Sequence, residues 1–301
     1  MGKFSIKDLE HLSGIKAHTI RIWEQRYELI APERTETNIR YYNDHDLKLI
    51  LNIALLKDNG FKISKIAEME SSDIQREVIR LTEKNLKYPD QIHAMTIAMV
   101  DIDEERFDKL VSTNILKLGF EKTMINIIYP FLSKIGVLWQ TGAINPAQEH
   151  FISNLVRQKL IVAIDGQYVV ATGNSEKYVL YLPEGELHEL TLLFADYLIK
   201  SRQNKTFYLG QSLPLVDLEA IYELHKPEYI LSVLTSVPGP ANIQKYINDL
   251  STKMSESQIL LTGYQVIGQD LVLPENVRIF SRLEQLIEHV EKIPNSKSYS
   301  Q

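Results

Sequence analysis

The 301-residue chain contains no cysteine. Disulfide bonds, thiolate metal sites and a thiol nucleophile are therefore excluded, and the composition fits a reducing compartment. No run of 18 apolar residues occurs, so the sequence predicts no membrane-spanning helix, and the N-terminus lacks the apolar core of a signal peptide. From these absences we expect a soluble, cytoplasmic protein.

Motifs of common nucleotide-binding and hydrolytic sites are also missing. The sequence has neither a Walker nor a dinucleotide-binding glycine pattern, and no serine stands in a nucleophile elbow. The net charge of -6 argues against non-specific coating of nucleic acid. However, residues 1–70 carry 11 Lys/Arg and 11 Asp/Glu and are neutral. A neutral N-terminal region, here called the head, in an otherwise acidic chain indicates a protein that contacts DNA through that region.

Three regions with different hydrophobic patterns predict a multidomain protein. Residues 1–72 hold short helices broken by turns, and residues 73–168 have breaks that predict a four-helix bundle. Residues 176–292 alternate apolar strands with helices, which predicts a doubly wound, Rossmann-like parallel α/β sheet. In such sheets, ligands bind beyond the carboxyl ends of the strands. The five strands are predicted to begin near Tyr178, Thr206, Tyr229, Gln258 and Val277.

The first region has the pattern of a winged helix-turn-helix. A helix from Phe4 to Leu12 is followed by a Ser-Gly break and a second helix from Ala17 to Arg26. The apolar side of the second helix can anchor to the first, while its polar side can reach phosphates and base edges. The loop from Glu28 to Tyr42 predicts a short hairpin whose arginines and tyrosines clamp phosphates. The expected DNA contacts are Lys16, His18, Thr19, Arg21, Arg34, Arg40 and Tyr42.

Four stretches of this region resemble the MerR family of transcription regulators. They are Phe4-Ser-Ile-Lys-Asp-Leu, Thr19-Ile-Arg-Ile-Trp-Glu-Gln-Arg-Tyr, Pro32-Glu-Arg-Thr and Ile39-Arg-Tyr-Tyr. The Trp-Glu-x-Arg-Tyr form is similar to the subgroup with light- or cobalamin-linked sensors. The resemblance implies a homodimer, or a higher homo-oligomer, whose heads read a palindromic operator in promoter DNA. A helical hairpin that binds no DNA is the alternative interpretation.

In the helical region, nine residues separate Trp139 from the pair Glu149-His150. This spacing resembles the CarH/LitR-like subgroup, which implies that Trp139 covers the upper face of adenosylcobalamin and that Glu149 and His150 approach the adenosyl group. Light-sensing members can carry a histidine directly after the tryptophan. Residue 140 is Gln, which leaves a light response open. A core tryptophan beside an ordinary Glu-His pair is the alternative interpretation.

In the alternating region, Glu186 and His188 follow the first predicted strand. A histidine there points off the carboxyl edge of the sheet, and Glu186 can hydrogen-bond its ring and strengthen it as a ligand. The segment is similar to the Asp-x-His-x-x-Gly motif of cobalamin-binding domains, which implies that His188 is the lower axial cobalt ligand. The later Ser-x-Leu and Gly motifs imply a slot for the nucleotide tail, lined by Ser232, Leu234 and Gly263.

Thr191 and Thr262 stand where the resembled domains have glycine, and Tyr264 follows Gly263. We expect these side chains to narrow or fill the slot. Three functions therefore stay open. The first is a DNA-binding regulator, expected to repress, in which adenosylcobalamin or light controls oligomerisation. The second is a ligand-free regulator controlled by a protein partner. The third, a cobalamin-dependent enzyme or carrier, is disfavoured because a DNA-binding head is out of place in it.

Overall fold

The computed structural model describes residues 4–34, 38, 40–83, 88–141, 144–169, 175–239 and 241–292. The chain divides into two compact units, Met1–Asn154 and Leu155–Gln301. Each unit has its own secondary structure and is described by itself. Within the described ranges, no helix is long and apolar enough to cross a membrane.

The first unit begins with α1 (Ile6–Ser13), α2 (Ala17–Tyr27), β1 (Glu33–Arg34), β2 (Arg40–Tyr41), α3 (Asp44–Asp58) and α4 (Ile63–Ile66). Strands β1 and β2 pair antiparallel, as the hairpin prediction required. Helix α1 starts later than expected because Ser5 is its N-cap, in a capping box with Asp8, and Phe4 bridges to Tyr42. Asn43 caps α3 in a second box with Asp46. Polar caps thus fix where both helices begin.

Helix α5 (Ser71–Glu83) belongs to the core of this N-terminal region. Its Ile74 and Val78 are buried in the cluster that also contains Ile20 and Trp23 of α2. The domain boundary expected at residue 73 therefore falls inside a helix whose apolar side packs on the helix-turn-helix.

The helical region continues with α6 (Pro89–Val100), α7 (Glu104–Leu118), α8 (Phe120–Thr123), a π-helical segment (Met124–Ile128), α9 (Tyr129–Thr141) and α10 (Pro146–Asp165). The last of these helices runs from the first unit into the second. The segment between α8 and α9 is a π-bulge within one continuous helical stretch. Among the described residues of this region, α6, α7, the stretch from α8 to α9, and α10 are the four helical stretches that the bundle prediction called for. Helix α5 comes in addition to them, and its buried Ile74 and Val78 pack in the core of the N-terminal region.

The second unit contains a five-stranded parallel sheet. Its elements are β3 (Lys177–Pro183), α11 (Leu190–Ser201), β4 (Lys205–Leu213), α12 (Leu215–His225), β5 (Tyr229–Val233), α13 (Ile243–Lys253), β6 (Gln258–Thr262), β7 (Val277–Ile279) and α14 (Leu283–Lys292). The strand order is β4-β3-β5-β6-β7, which confirms the predicted sheet. The chain leaves β3 towards one edge for β4 and then crosses to β5. The carboxyl ends of β3 and β5 therefore flank the switch point where such sheets bind ligands.

Candidate functional site

Helix α2 carries three of the seven expected DNA contacts, His18, Thr19 and Arg21. Ile20 and Trp23 are buried against the core, whereas His18 and Arg21 are exposed. Thr19 is half-buried, with its hydroxyl oxygen 3.3 Å from Nε2 of His18. Lys16, exposed just before the helix, lies 3.3 Å from a carboxylate oxygen of Glu10. Ion pairs this exposed are weak, so Lys16 can exchange its partner for a phosphate at little cost.

The two wing arginines stand directly opposite each other, because Arg34 of β1 pairs with Arg40 of β2. Arg34 is exposed, and its Nη1 donates to Oδ1 of Asn38 at 2.7 Å. Arg40 is half-buried, 3.9 Å from a carboxylate oxygen of Glu24. Side chains of opposed residues share a face of a sheet, so the hairpin concentrates positive charge on one side. Residues 35–37 and residue 39 lie outside the described ones.

Tyr42 does not belong to the DNA-contacting set. Its side chain is fully buried, its backbone pairs with Phe4, and its hydroxyl donates to Glu24 at 3.3 Å. Burial and the negative charge of Glu24 raise the pKa of Tyr42 to about 12. The prediction was wrong because successive side chains of a strand face opposite sides. The neighbouring Tyr41 is the partly exposed one.

Trp139 of α9 has a partner that the sequence did not suggest. Nζ of Lys48, in α3, lies 5.2 Å from the centroid of its half-buried ring. Gln140 follows within α9, but its side chain lies outside the described ones. On α10, Glu149 accepts a hydrogen bond from Ser153 at 2.5 Å. A second oxygen of Glu149 lies 3.2 Å from Nδ1 of the exposed His150, so these two predicted residues do come together.

Glu186 and His188 form a closely bonded pair just after β3. Glu186 is fully buried, and its Oε1 lies 2.5 Å from Nδ1 of His188. The side chain of His188 is 62% exposed. A carboxylate that holds Nδ1–H leaves the lone pair of the ring on Nε2, which is the arrangement a metal-binding histidine needs. The pair confirms that Glu186 bonds the ring of His188.

Glu186 is also bonded by two backbone segments. Its Oε1 accepts from the N–H groups of residues 187 and 188, and its Oε2 accepts from those of Thr235, Ser236 and Val237, at 2.9, 2.6 and 3.3 Å. Burial disfavours the carboxylate, but bonds from His188 and from backbone N–H groups outweigh it and lower the pKa of Glu186 to about 2. The buried charge thus ties the loop after β3 to the loop after β5.

The residues expected to line the tail slot are packed against the protein itself. Ser232 and Leu234 are fully buried, and the Ser232 hydroxyl donates to the carbonyl of Tyr181 at 2.9 Å. Gly263 has a φ of +107°, and a Cβ added to it would lie 2.5 Å from the carbonyl oxygen of Leu234. The N–H of Leu234 donates to Thr262, and the carbonyl of Leu234 accepts from Gln265, at 2.7 and 2.9 Å. The loops after β5 and β6 are therefore closed on each other.

The three departures from the motif act differently from expectation. The Thr262 hydroxyl donates to the carbonyl of Phe280 at 2.8 Å. Thr191 is half-buried in the first turn of α11. Tyr264 keeps 46% of its surface exposed, so its ring does not fill a buried slot as expected. The backbone contact between Gly263 and Leu234 closes this region instead.

The residues present therefore fit a corrin only in part. The Glu186–His188 pair has the donor chemistry and exposure that an axial cobalt ligand requires. The residues expected to line the tail slot do not fit this purpose as they stand, because the backbones of the loops after β5 and β6 hydrogen-bond directly to each other.

Comparisons with known proteins find similarity in two separate parts of the chain. Residues 4–73 match the model of the MerR HTH family regulatory protein, and residues 91–163 match that of the B12 binding domain. The HTH-type transcriptional repressor CarH of Myxococcus xanthus is 26% identical over 240 residues, 77% of this chain and 79% of that protein. CarA of the same organism is 21% identical over 260 residues, 86% of this chain and 85% of that protein. The N-terminal region of the chain is therefore similar to the MerR HTH family of regulatory proteins.

A protein of known structure also has a similar fold. The monomethylamine corrinoid protein of Methanosarcina barkeri superposes with a TM-score of 0.50 at 12% identity, over 64% of this chain and 94% of that one. At this identity the likeness concerns the fold alone. The B12 binding domain match lies within α6–α10 and follows the residues that match the MerR model. Both CarH and CarA are transcriptional repressors and not enzymes.

Two parts of the site could not be predicted from the motifs in the sequence. The lysine over Trp139 comes from α3, 91 positions earlier in the chain, and no local pattern connects the two residues. The amides of residues 235–237 reach Glu186 from about 50 positions away. The sequence did contain a signal for these amides. A carboxylate directly after a buried strand needs hydrogen-bond donors, and the N–H groups of the loop after the neighbouring parallel strand are the nearest ones.

Proposed function

We propose that this regulator represses transcription from a palindromic promoter operator and that cobalamin, held by His188, controls its assembly. The observation that carries the proposal is the Glu186–His188 pair, with a fully buried carboxylate and an exposed ring. It lies at the switch point of the sheet in a chain that also has a MerR head. The repressors CarH and CarA support the sign of regulation.

The residues of this chain take separate parts in holding the group. Nε2 of His188 would bind the cobalt of the corrin, and Glu186 would keep the ring in that tautomer. Trp139, Glu149 and His150 would be the residues that face the adenosyl group. Adenosylcobalamin, the form we propose, supplies a cobalt–carbon bond that light can break.

Oligomerisation can control the affinity for DNA because several heads then bind the same operator. One head makes few base contacts, but linked heads bind a palindrome with an effective concentration that multiplies their affinities. A ligand that stabilises one oligomer more than another therefore changes DNA affinity by its differential binding energy. Homodimers, or higher homo-oligomers, are the assemblies we propose.

The test loads the purified chain with adenosylcobalamin in the dark, removes free corrin by desalting, and records the visible spectrum and the oligomer size before and after illumination. We expect retained corrin and a ligand-dependent change of size. His188→Ala should retain less corrin and lose the histidine-ligated spectrum. His93→Ala, which removes an exposed histidine from α6, is the matched control. A protein without retained corrin and of unchanged size would contradict the proposal.

The closed loops after β5 and β6 favour a second candidate, a ligand-free regulator controlled by a protein partner. The hydrogen bonds between Leu234 and residues 262 and 265 are the observation behind it. This candidate expects wild-type DNA binding from His188→Ala with and without corrin. The desalting experiment separates the two, because only the first candidate retains the ligand.

A further inference from the structure

An isoleucine stands exposed in the middle of the DNA-facing side of α2. Ile22 is 49% exposed, although the other isoleucine of the helix, Ile20, is fully buried. His18, Arg21, Ile22 and Gln25 are all exposed. Their spacing of three, four and seven residues places them on one stripe along the helix. The core packs on the opposite side, so the fold itself does not require an apolar residue at position 22.

In a winged helix-turn-helix, the outer face of the second helix enters the major groove. The edges of the base pairs there offer hydrogen-bonding groups and one apolar group, the C5-methyl of thymine. Arg21 and Gln25 carry hydrogen-bonding groups for the polar edges. We infer that Ile22 packs on a thymine methyl group and makes this regulator selective for thymine at one position of each half-site.

The surroundings of Ile22 favour DNA over a protein as the occupant. A protein-docking patch needs a contiguous apolar area, whereas the neighbours of Ile22 on the stripe are a guanidinium, an imidazole and an amide. The inference rests on DNA binding by the head and is independent of cobalamin.

The probe is a duplex selected by the full chain from a random double-stranded DNA library. Each thymine of the selected sequence is then replaced by deoxyuridine, one position at a time, which removes only the methyl group. Dissociation constants are measured at one fixed salt concentration, because phosphate contacts make affinity depend strongly on salt.

We expect one thymine in each half-site at which loss of the methyl weakens wild-type binding about fourfold, the effect of leaving one methyl-sized group unburied. Ile22→Ala should weaken binding to the thymine duplex and should lose its sensitivity to uracil at that position. Leu116→Ala removes an equally aliphatic side chain that is 88% exposed on α7, and should keep the wild-type uracil profile. Thermal unfolding checks that both variants fold.

Two results would overturn the inference. One is an Ile22→Ala protein whose uracil profile matches that of the wild type, which would leave Ile22 for a protein contact. The other is a selected site in which no thymine methyl affects wild-type binding. Failure to select any DNA would instead refute the DNA binding on which the inference rests, and this outcome is recognised at the first step.

Discussion

The buried carboxylate of Glu186 allows a prediction whose size follows from its pKa. Glu186→Gln keeps the shape of the side chain but removes the charge. Each oxygen of Glu186 accepts three donors, so the amide NH₂ of glutamine must face N–H groups on whichever side it takes. Buried N–H groups that lose their acceptor lower the free energy of unfolding of the second unit.

The pH dependence isolates the contribution of the charge. The pKa of Glu186 falls from its ordinary value of 4.5 to about 2 in the folded protein. The unfolded chain therefore binds the proton more tightly, and the stabilisation is complete above about pH 4.5 and is lost as the pH falls towards 2. The shift corresponds to about 3 kcal/mol at pH 7 and to about 1.4 kcal/mol at pH 3. The difference in the free energy of unfolding between wild type and Glu186→Gln should therefore be about 2 kcal/mol smaller at pH 3 than at pH 7.

Amide hydrogen exchange is the assay, because both tryptophans lie in the first unit and fluorescence does not report on the second. Exchange at residues 235–237 should accelerate strongly in Glu186→Gln at pH 7, after correction for the intrinsic rate, and less at pH 3. Glu184→Gln removes an exposed carboxylate two residues earlier and should leave these amides protected. Wild-type protection in Glu186→Gln, or a difference independent of pH, would refute the reasoning.

Two further predictions concern close contacts. Gly263→Ala places a Cβ 2.5 Å from a carbonyl oxygen at a φ of +107°, whereas at Gly268, with a φ of +72°, an added Cβ meets nothing within 4 Å. In urea unfolding followed by circular dichroism, we expect a loss of about 3 kcal/mol for Gly263→Ala and about 1 kcal/mol for Gly268→Ala, and equal losses would contradict the contact. Lys48→Ala should cost about 0.5–1 kcal/mol and expose the ring of Trp139 to acrylamide quenching, measured in a Trp23→Phe background. Unchanged quenching would show that the lysine does not cover the ring.

Much of the fold could be predicted because local chemistry and global packing agree in it. Asn43 and Ser5 are strong helix caps, and both cap their helices. The fully apolar strands of the second unit can only be buried on both faces, which requires helices on either side and a parallel sheet. The hydrogen bond between Glu186 and His188 could be predicted because the two residues lie only two positions apart in the chain.

The failures come from choices that depend on distant parts of the chain. Tyr41 ends β2 and Tyr42 follows it directly, and the packing of Tyr42 against Phe4 and Glu24 decides which phenol is buried. The closure between Leu234 and Gly263 joins two loops whose separation the motif did not fix. Each loop has the expected residues, but their backbones hydrogen-bond to each other in place of leaving a slot.

Helix α3 connects the predicted ligand cap with the DNA-reading helix. Its Lys57 lies over Trp23 of α2 at 4.9 Å, and its Lys48 lies over Trp139 of α9 at 5.2 Å. The two lysines are nine positions apart in the chain, which places them on opposite sides of the helix axis. The buried isoleucines of α3 lie in the cluster that contains Trp23, and Val137 of α9 packs against the same cluster. Since Trp139 and α2 both contact α3 and its core, we expect a displacement of Trp139 to act on α2 through these packed side chains.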